Sequence, residues 1–249
     1  MQEYWEAYMK PMEGYPSMVS FNAGVYDSMP DSDYGYVGFV KAELRSPTRE
    51  GLVSPEEADE IVFIEDRLEM ESLRYRAGKY IGRIITQGSA TFIYCLKLDF
   101  EWGDAVHAAM RCFDNYTYTF GSRLDREWEI YRKLLFPTPR EWQIIQNHHA
   151  CDRLIAAGDN LRVPRAIEHR IYFETAANRD AFERELAAEG FRVQKKTAPT
   201  ESDPLYGLRF YRVDTPHYYA IDALSIDIIG RGERFGGQYD GWESSVVKA

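Results

Sequence analysis

The sequence predicts the α+β class, with two domains that each run strand, helix, strand, strand, helix, strand. Three observations lead there. Strand and helix periodicities follow that order from Tyr34 to Phe120 and again from Ala166 to Val247. Gly158 to Pro164 separates the two series as a glycine- and proline-bounded linker. A chain of 249 residues, 45% hydrophobic and 28% charged, has a globular composition and room for two domains. This βαββαβ order is ferredoxin-like, with the helices on one sheet face. The expected boundaries are 1–157, with an added N-terminal β-hairpin and a closing linker helix at 139–157, and 165–249.

The chain opens with two aromatic-rich runs, Tyr4 to Met9 and Tyr15 to Phe21, joined across Glu13-Gly14 as a hairpin. Asp27 to Asp33 is a polar loop containing Pro30, and Tyr34 to Leu44 a strand that Ser46-Pro47-Thr48 breaks. In Ser54-Pro55-Glu56-Glu57, serine stands at an N-cap, proline at the first helical position and glutamate where a capping box needs it. The helix that follows is expected to bury Ala58, Ile61, Ile64, Leu68 and Leu73. Tyr80 to Thr86 and Ala90 to Leu98 flank Gln87-Gly88-Ser89 as a second hairpin. A shorter helix over Asp104 to Phe113 turns Ala105, Val106, Ala109 and Met110 inward, and Tyr116 to Phe120 and Trp128 to Leu135 read as strands. Pro139 opens the linker helix, which runs through Trp142, Ile145, His149 and Ile155.

In the second series, Ala166 to Glu174 is a strand, Asn178 to Glu189 a helix ended by Gly190, and Phe191 to Lys195 a strand. Thr197 to Pro204 is a loop and Tyr206 to Val213 the third strand. Thr215-Pro216 caps a helix bearing Ile221, Leu224, Ile228 and Ile229, ended by Gly230 and Gly232, and Gln238 to Val247 closes the sheet. Asp240-Gly241 forms a turn there between Tyr239 and Trp242, whose large side chains supply buried area.

The formal charge of −10 is spread along the chain and weighs against nonspecific binding to nucleic acid or anionic membranes. Met1 to Lys10 mixes Glu3, Glu6 and Lys10 with aromatics, so no secretory leader is read there. No apolar run approaches the ~20 residues that span a bilayer, and a soluble, cytoplasmic protein is expected. Cys95, Cys112 and Cys151 are few and widely spaced, as reduced thiols are.

No catalytic residue, metal site or cofactor is assigned. The glycines from Gly230 to Gly237 follow a helix and precede a strand, the reverse of a phosphate-binding loop. His148, His149, Cys151 and Asp152 are dense in metal-capable groups but point around a helix rather than converging. Asp31 with Asp33, and Asp99 with Glu101 and Asp104, occupy loop and helix-start positions where carboxylates collect. Strand alternation places Ile167, His169, Ile171 and Phe173 on one face, with His169 at the rim of the core. Arg170 and Tyr172 lie on the other face. With Arg209 and Tyr211 they form either a base-stacking RNA surface or one covered by another domain or subunit.

Ile167-Glu168-His169, the helix ending Glu189-Gly190-Phe191-Arg192-Val193, and Tyr239-Asp240-Gly241-Trp242 together resemble the regulator of ribonuclease E activity B family over Arg165 to Ala249. The early tryptophan, aromatic hairpin and long acidic helix of the N-terminal portion resemble the domain-of-unknown-function family 695, often joined to such a domain. The first resemblance implies a bacterial ferredoxin-like domain that binds a protein, in the named case an RNA-degrading endonuclease. It implies that His169, Tyr239, Asp240, Gly241 and Trp242 form or support the contact. That family continues into a long acidic tail, whereas this sequence ends at Ala249, so inhibition through such a tail is not carried over.

The leading expectation is a non-enzymatic protein-binding regulator. The alternatives are an RNA-binding module using Arg170, Tyr172, Arg209 and Tyr211, and an enzyme with carboxylates converging between the domains. Homo-oligomerisation through an exposed sheet face stays open.

Overall fold

The two opening aromatic runs pair as an antiparallel hairpin, β1 (Trp5–Met12) with β2 (Tyr15–Asn22). The computed structural model describes residues 4–201 and 204–248. Met1, Gln2, Glu3, Ala249, and Ser202 and Asp203 of the expected 197–204 loop therefore lie outside the described residues. The chain divides into two units, Met1–Pro137 and Thr138–Ala249.

In the first unit the hairpin is followed by β3 (Tyr36–Glu43), α1 (Ala58–Arg74), β4 (Gly78–Thr86), β5 (Ser89–Leu96), α2 (Trp102–Met110) and β6 (Tyr118–Leu124). All six strands join one antiparallel sheet in the order β1-β2-β4-β5-β3-β6. Without the hairpin, β4-β5-β3-β6 is the strand order expected of βαββαβ connectivity, and β2 extends its β4 edge. Ile61, Ile64 and Leu68 of α1 and Val106, Ala109 and Met110 of α2 share a core with Val40, Phe92 and Leu96 of the sheet. Burying each such side chain stabilises by ~1.5–3 kcal/mol.

Local chemistry departs from expectation at three places in this unit. Leu73 is 63% exposed, because α1 turns Glu71 and Ser72 inward at its last turn instead. The Ser54/Glu57 capping box does not form: the Ser54 hydroxyl is buried without a partner among the described residues, and α1 begins only at Ala58. Glu57 instead accepts the backbone amides of Arg45 and Ser46, both at 2.8 Å, and the Tyr116 hydroxyl at 2.7 Å. Third, the strand expected over Trp128 to Leu135 is helical, with a π-type turn over Tyr131–Leu135. Asp125 starts it by accepting the amides of Glu129 and Ile130. Burial of Trp128, Tyr131 and Leu135 mimics the apolar content of a strand.

The second unit contains α3 (Pro139–Ala156), β7 (Arg165–Phe173), α4 (Ala176–Ala188), β8 (Arg192–Lys196), β9 (Tyr206–Asp214), α5 (Tyr218–Glu233) and β10 (Gln238–Ser244). Its antiparallel sheet has the order β10-β7-β9-β8, again that of βαββαβ connectivity. Phe182 and Leu186 of α4 and Ile221, Leu224 and Ile228 of α5 share one core with Ile167, Ile171, Leu208 and Phe210, so both helices cover the same sheet face.

Helix α3, expected to close the first domain, packs on α5 and gives Cys151 to this second core. A true capping box of Thr138 and Glu141 starts it. The stretch expected as a linker is likewise folded into this unit. Asp159 accepts the Val247 amide and a buried ion pair from Arg165, both at 2.6 Å. Helix α5 begins at Tyr218, beyond Thr215-Pro216, and runs through Gly230 and Gly232. Gly232 serves close packing: a Cβ there would lie 2.5 Å from Ile171 Cδ1. No helix among the described residues is long and apolar enough to cross a membrane.

Candidate functional site

Strands pair β10 against β7 with Trp242 opposite His169 and Tyr239 opposite Ile171. Residues three apart on a regular strand point to opposite faces, yet His169 and Ile171 share the helix-covered face. The register shift between Tyr239 and Gly241 resolves this: Asp240 is an extra residue in a β-bulge. Gly241 has φ +108°, a conformation that L side chains rarely adopt. Tyr-Asp-Gly-Trp is thus the spacing that turns two large aromatics inward and leaves the aspartate outside.

Both aromatics are tied at their polar ends. His169 is fully buried, stacked on Phe210, and its Nδ1 shares a 2.8 Å hydrogen bond with the Tyr239 hydroxyl. Burial, followed by the charge of Arg212, pushes the His169 pKa down to about 3. Its imidazole is therefore neutral at physiological pH. Burial likewise raises the Tyr239 phenol far above its ordinary value. Neither group changes its protonation state near pH 7.

Trp242 donates its indole N–H to Asn147 Oδ1 at 2.8 Å. Fully buried Asn147 donates in turn to Asp222 at 2.9 Å and to Ser225 at 2.8 Å, and accepts from Gln143 at 2.8 Å. His148 lies 2.8 Å from the second oxygen of Asp222. Asn147, Asp222 and Ser225 were not singled out by sequence reasoning. The available signal was a polar residue at an inward helix position: Asn147 lies one turn before Cys151, and Ser225 one turn after Ile221. The metal-capable residues of α3 are dispersed by these ties. Cys151 donates to the Pro216 carbonyl at 3.2 Å, with burial raising its thiol to about 12, and Asp152 accepts from Tyr218. Among the described residues no three His, Cys, Asp or Glu side chains converge on a metal position.

The opposite sheet face carries Arg170 and Tyr172 of β7 and Arg209 and Tyr211 of β9, brought together as the alternation requires: Arg170 pairs with Arg209 across the strands. All four are half-buried. Asp240 and Glu243 arrive from β10. Arg170 stands 3.5 Å from Asp240 and 3.9 Å from Glu243; Arg209 stands 3.8 Å from Glu168 and 3.7 Å from Glu243. Arg170, Tyr172 and Arg209 also line a cleft of about 90 Å³ with Lys195 and Thr197, which Tyr211 does not reach. The described helices of this unit leave this face uncovered, and Arg192 and Lys195 of exposed β8 border it.

Residues 144–244 match the family model of the regulator of ribonuclease activity B, a segment that begins inside α3. Residues 3–136 match that of a family of unknown function, DUF695. No curated protein matches the chain. Among solved structures, the crystal structure of an unknown protein from Galdieria sulphuraria is similar at 13% identity, over 85% of this chain and 99% of that one, with a TM-score of 0.24. With more than half of its length matched by the DUF695 model, the chain belongs to the DUF695 family, and its C-terminal unit is similar to the regulator of ribonuclease activity B.

Proposed function

We propose that this protein is a non-enzymatic regulator whose C-terminal unit binds an RNA-degrading endoribonuclease through the open sheet face of β10, β7, β9 and β8. The orientation of the motif supports this reading. Tyr239 and Trp242 are locked inward on His169 and Asn147, so the bulge stiffens β10 and presents Asp240 and Glu243 beside Arg170 and Arg209. A rigid platform of this kind loses little conformational entropy on binding. Half-buried Tyr172 and Tyr211 add aromatic contact area of the sort that dominates protein interfaces.

The charge pattern favours a protein over RNA. Arg170 and Arg209 already face the carboxylates of Glu168, Asp240 and Glu243, which a phosphate backbone would have to displace. Exposed ion pairs of this kind contribute ~0–1 kcal/mol each, so a protein with alternating charges can exchange them readily.

The test is capture of partners by the intact protein from lysate, with and without nuclease, followed by calorimetry with the recovered endoribonuclease. Nuclease-resistant capture, weakened at least roughly tenfold in an Arg170→Glu, Arg209→Glu double variant of unchanged circular dichroism, is the expected result. Capture that nuclease abolishes, or affinity unmoved by the double variant, overturns it.

A further inference from the structure

The sheet face of the first unit that points away from α1 and α2 carries an apolar cavity of about 350 Å³. Its floor crosses three strands. Val40 and Phe92 enter the core beneath the helices, so strand alternation sends Val37 and Phe39 of β3 and Ile93 of β5 to the other face, where Ile84 of β4 joins them. Gly121 of β6 makes room for this arrangement: Phe39 lies across it, and a Cβ there would stand 3.0 Å from the ring. The wall is the helical stretch that enters the π-type turn, whose Ile130 and Leu134 line the cavity one turn apart. This wall is tied in place. Tyr131 donates its hydroxyl to the Asn22 carbonyl at 2.7 Å, and Lys10 donates to the Leu134 carbonyl at 2.8 Å.

The two ends of the cavity differ in chemistry. Met12 of β1 closes the end beside β4, and Arg123 of β6, which pairs with Val37, closes the other. Arg123 is the one charged residue of the lining. It is exposed and makes no ion pair or hydrogen bond among the described residues, and Glu129, the acid preceding Ile130 on the wall, is already held by Lys133 at 2.7 Å. Ligand sites are typically concavities of about 300–1,000 Å³, mostly apolar, with a few placed polar groups. Here an apolar length ends in a single free cation, which matches an amphiphile with an anionic head. The strand order β4-β5-β3-β6 sets the length at three strand spacings, about 14 Å, the reach of an extended carboxylate of about ten carbons. We infer that this cavity binds a medium-chain fatty acid, its alkyl chain laid across β4, β5 and β3 and its carboxylate on Arg123. The site belongs to the N-terminal unit and does not depend on the C-terminal unit's binding a nuclease.

The experiment is calorimetric titration of the full chain with hexanoate, octanoate and decanoate below their micellar concentrations, with decanol and decyltrimethylammonium as neutral and cationic controls. Saturable binding of the acids is expected, tightening roughly fourfold per added methylene, the factor for burying one CH₂. Decanol should bind more weakly than decanoate, and the cationic amphiphile more weakly still. Arg123→Gln, a change at an exposed position, should weaken decanoate roughly fivefold, the upper range of an exposed ion pair, and leave decanol unchanged. Thr91→Phe, which places a ring over the floor, should abolish binding of both. No saturable decanoate binding, equal affinity for decanoate and decanol in the parent, or decanoate affinity unmoved by Arg123→Gln overturns the inference. So does a dimer in sedimentation equilibrium that Thr91→Phe dissociates, because the face would then belong to a second copy of the chain.

Discussion

The hydroxyl of Tyr239 meets Nδ1 of His169 at 2.8 Å because Asp240 is bulged out of β10. Were all four residues in regular strand, without the bulge, Tyr239 and Trp242 would emerge on opposite faces of the sheet, and either the His169 or the Asn147 tie would be lost. One backbone irregularity therefore does two things: it fills the helix-covered face with aromatics and delivers Asp240 to the open one.

Stability should depend on pH through His169. Its pKa is about 3 when folded, against an ordinary value of 6.5, so between these limits the unfolded chain binds the extra proton. The stabilisation is complete above the unfolded value and declines as pH falls towards the folded one, by up to ~1.4 kcal/mol per pH unit. Urea unfolding from pH 7 to pH 4 should show this slope in the parent and not in His169→Phe. Parallel curves would remove His169 as its source.

Gly241→Ala isolates the backbone contribution of the bulge. A Cβ there meets nothing within 4 Å, so φ +108° alone sets the penalty, about 1–3 kcal/mol. Gly232→Ala should destabilise for the other reason, its Cβ falling 2.5 Å from Ile171 Cδ1. Ile171→Val removes that atom and should recover part of the loss at Gly232 and none at Gly241. Thermal melts of the two double-mutant cycles distinguish sterics from strain.

Asn147→Ala leaves the Trp242 indole, Ser225 and Asp222 short of a partner in a buried place. A loss of about 2–4 kcal/mol is expected, together with a red shift of the Trp242 fluorescence. Trp242→Phe combined with Asn147→Ala should be less than additive, because the two share one hydrogen bond. Strict additivity in chemical denaturation would show that they are not coupled.

Both βαββαβ series are legible in the sequence because their helices and strands carry clean apolar periods, Ile61, Ile64 and Leu68 in one and Ile167, Ile171 and Phe173 in the other. The alternation that pairs Arg170 with Arg209 is legible for the same reason. What escapes is set by contacts distant in the chain. Whether α3 belongs to the first or second unit is decided by α5, more than sixty residues further on. The folded state of Gly158 to Pro164 depends on Arg165 and Val247. Asn147 looks like any helical asparagine until Trp242 and Ser225 arrive beside it.

The start of α1 offers a direct choice between local and tertiary chemistry. Ser54-Pro55-Glu56-Glu57 reads as a capping box, but Glu57 is committed to the Arg45 and Ser46 amides and the Tyr116 hydroxyl. Burial alone would raise its pKa; the Arg45 amide, the Tyr116 hydroxyl and the Ser46 amide outweigh it and hold the carboxyl below the ordinary 4.5. Stabilisation from this lowering is therefore present above the unfolded value and lost as pH falls through the folded one. Glu57→Gln should destabilise by about 1–3 kcal/mol at neutral pH, and the difference from the parent should shrink in acid. Ser54→Ala is the decisive partner. If its hydroxyl capped the helix, removal would cost about 1 kcal/mol; as a buried hydroxyl without a partner among the described residues, it should cost nothing or stabilise. Denaturant midpoints for the two variants, measured at pH 7 and pH 4, decide which chemistry begins the helix.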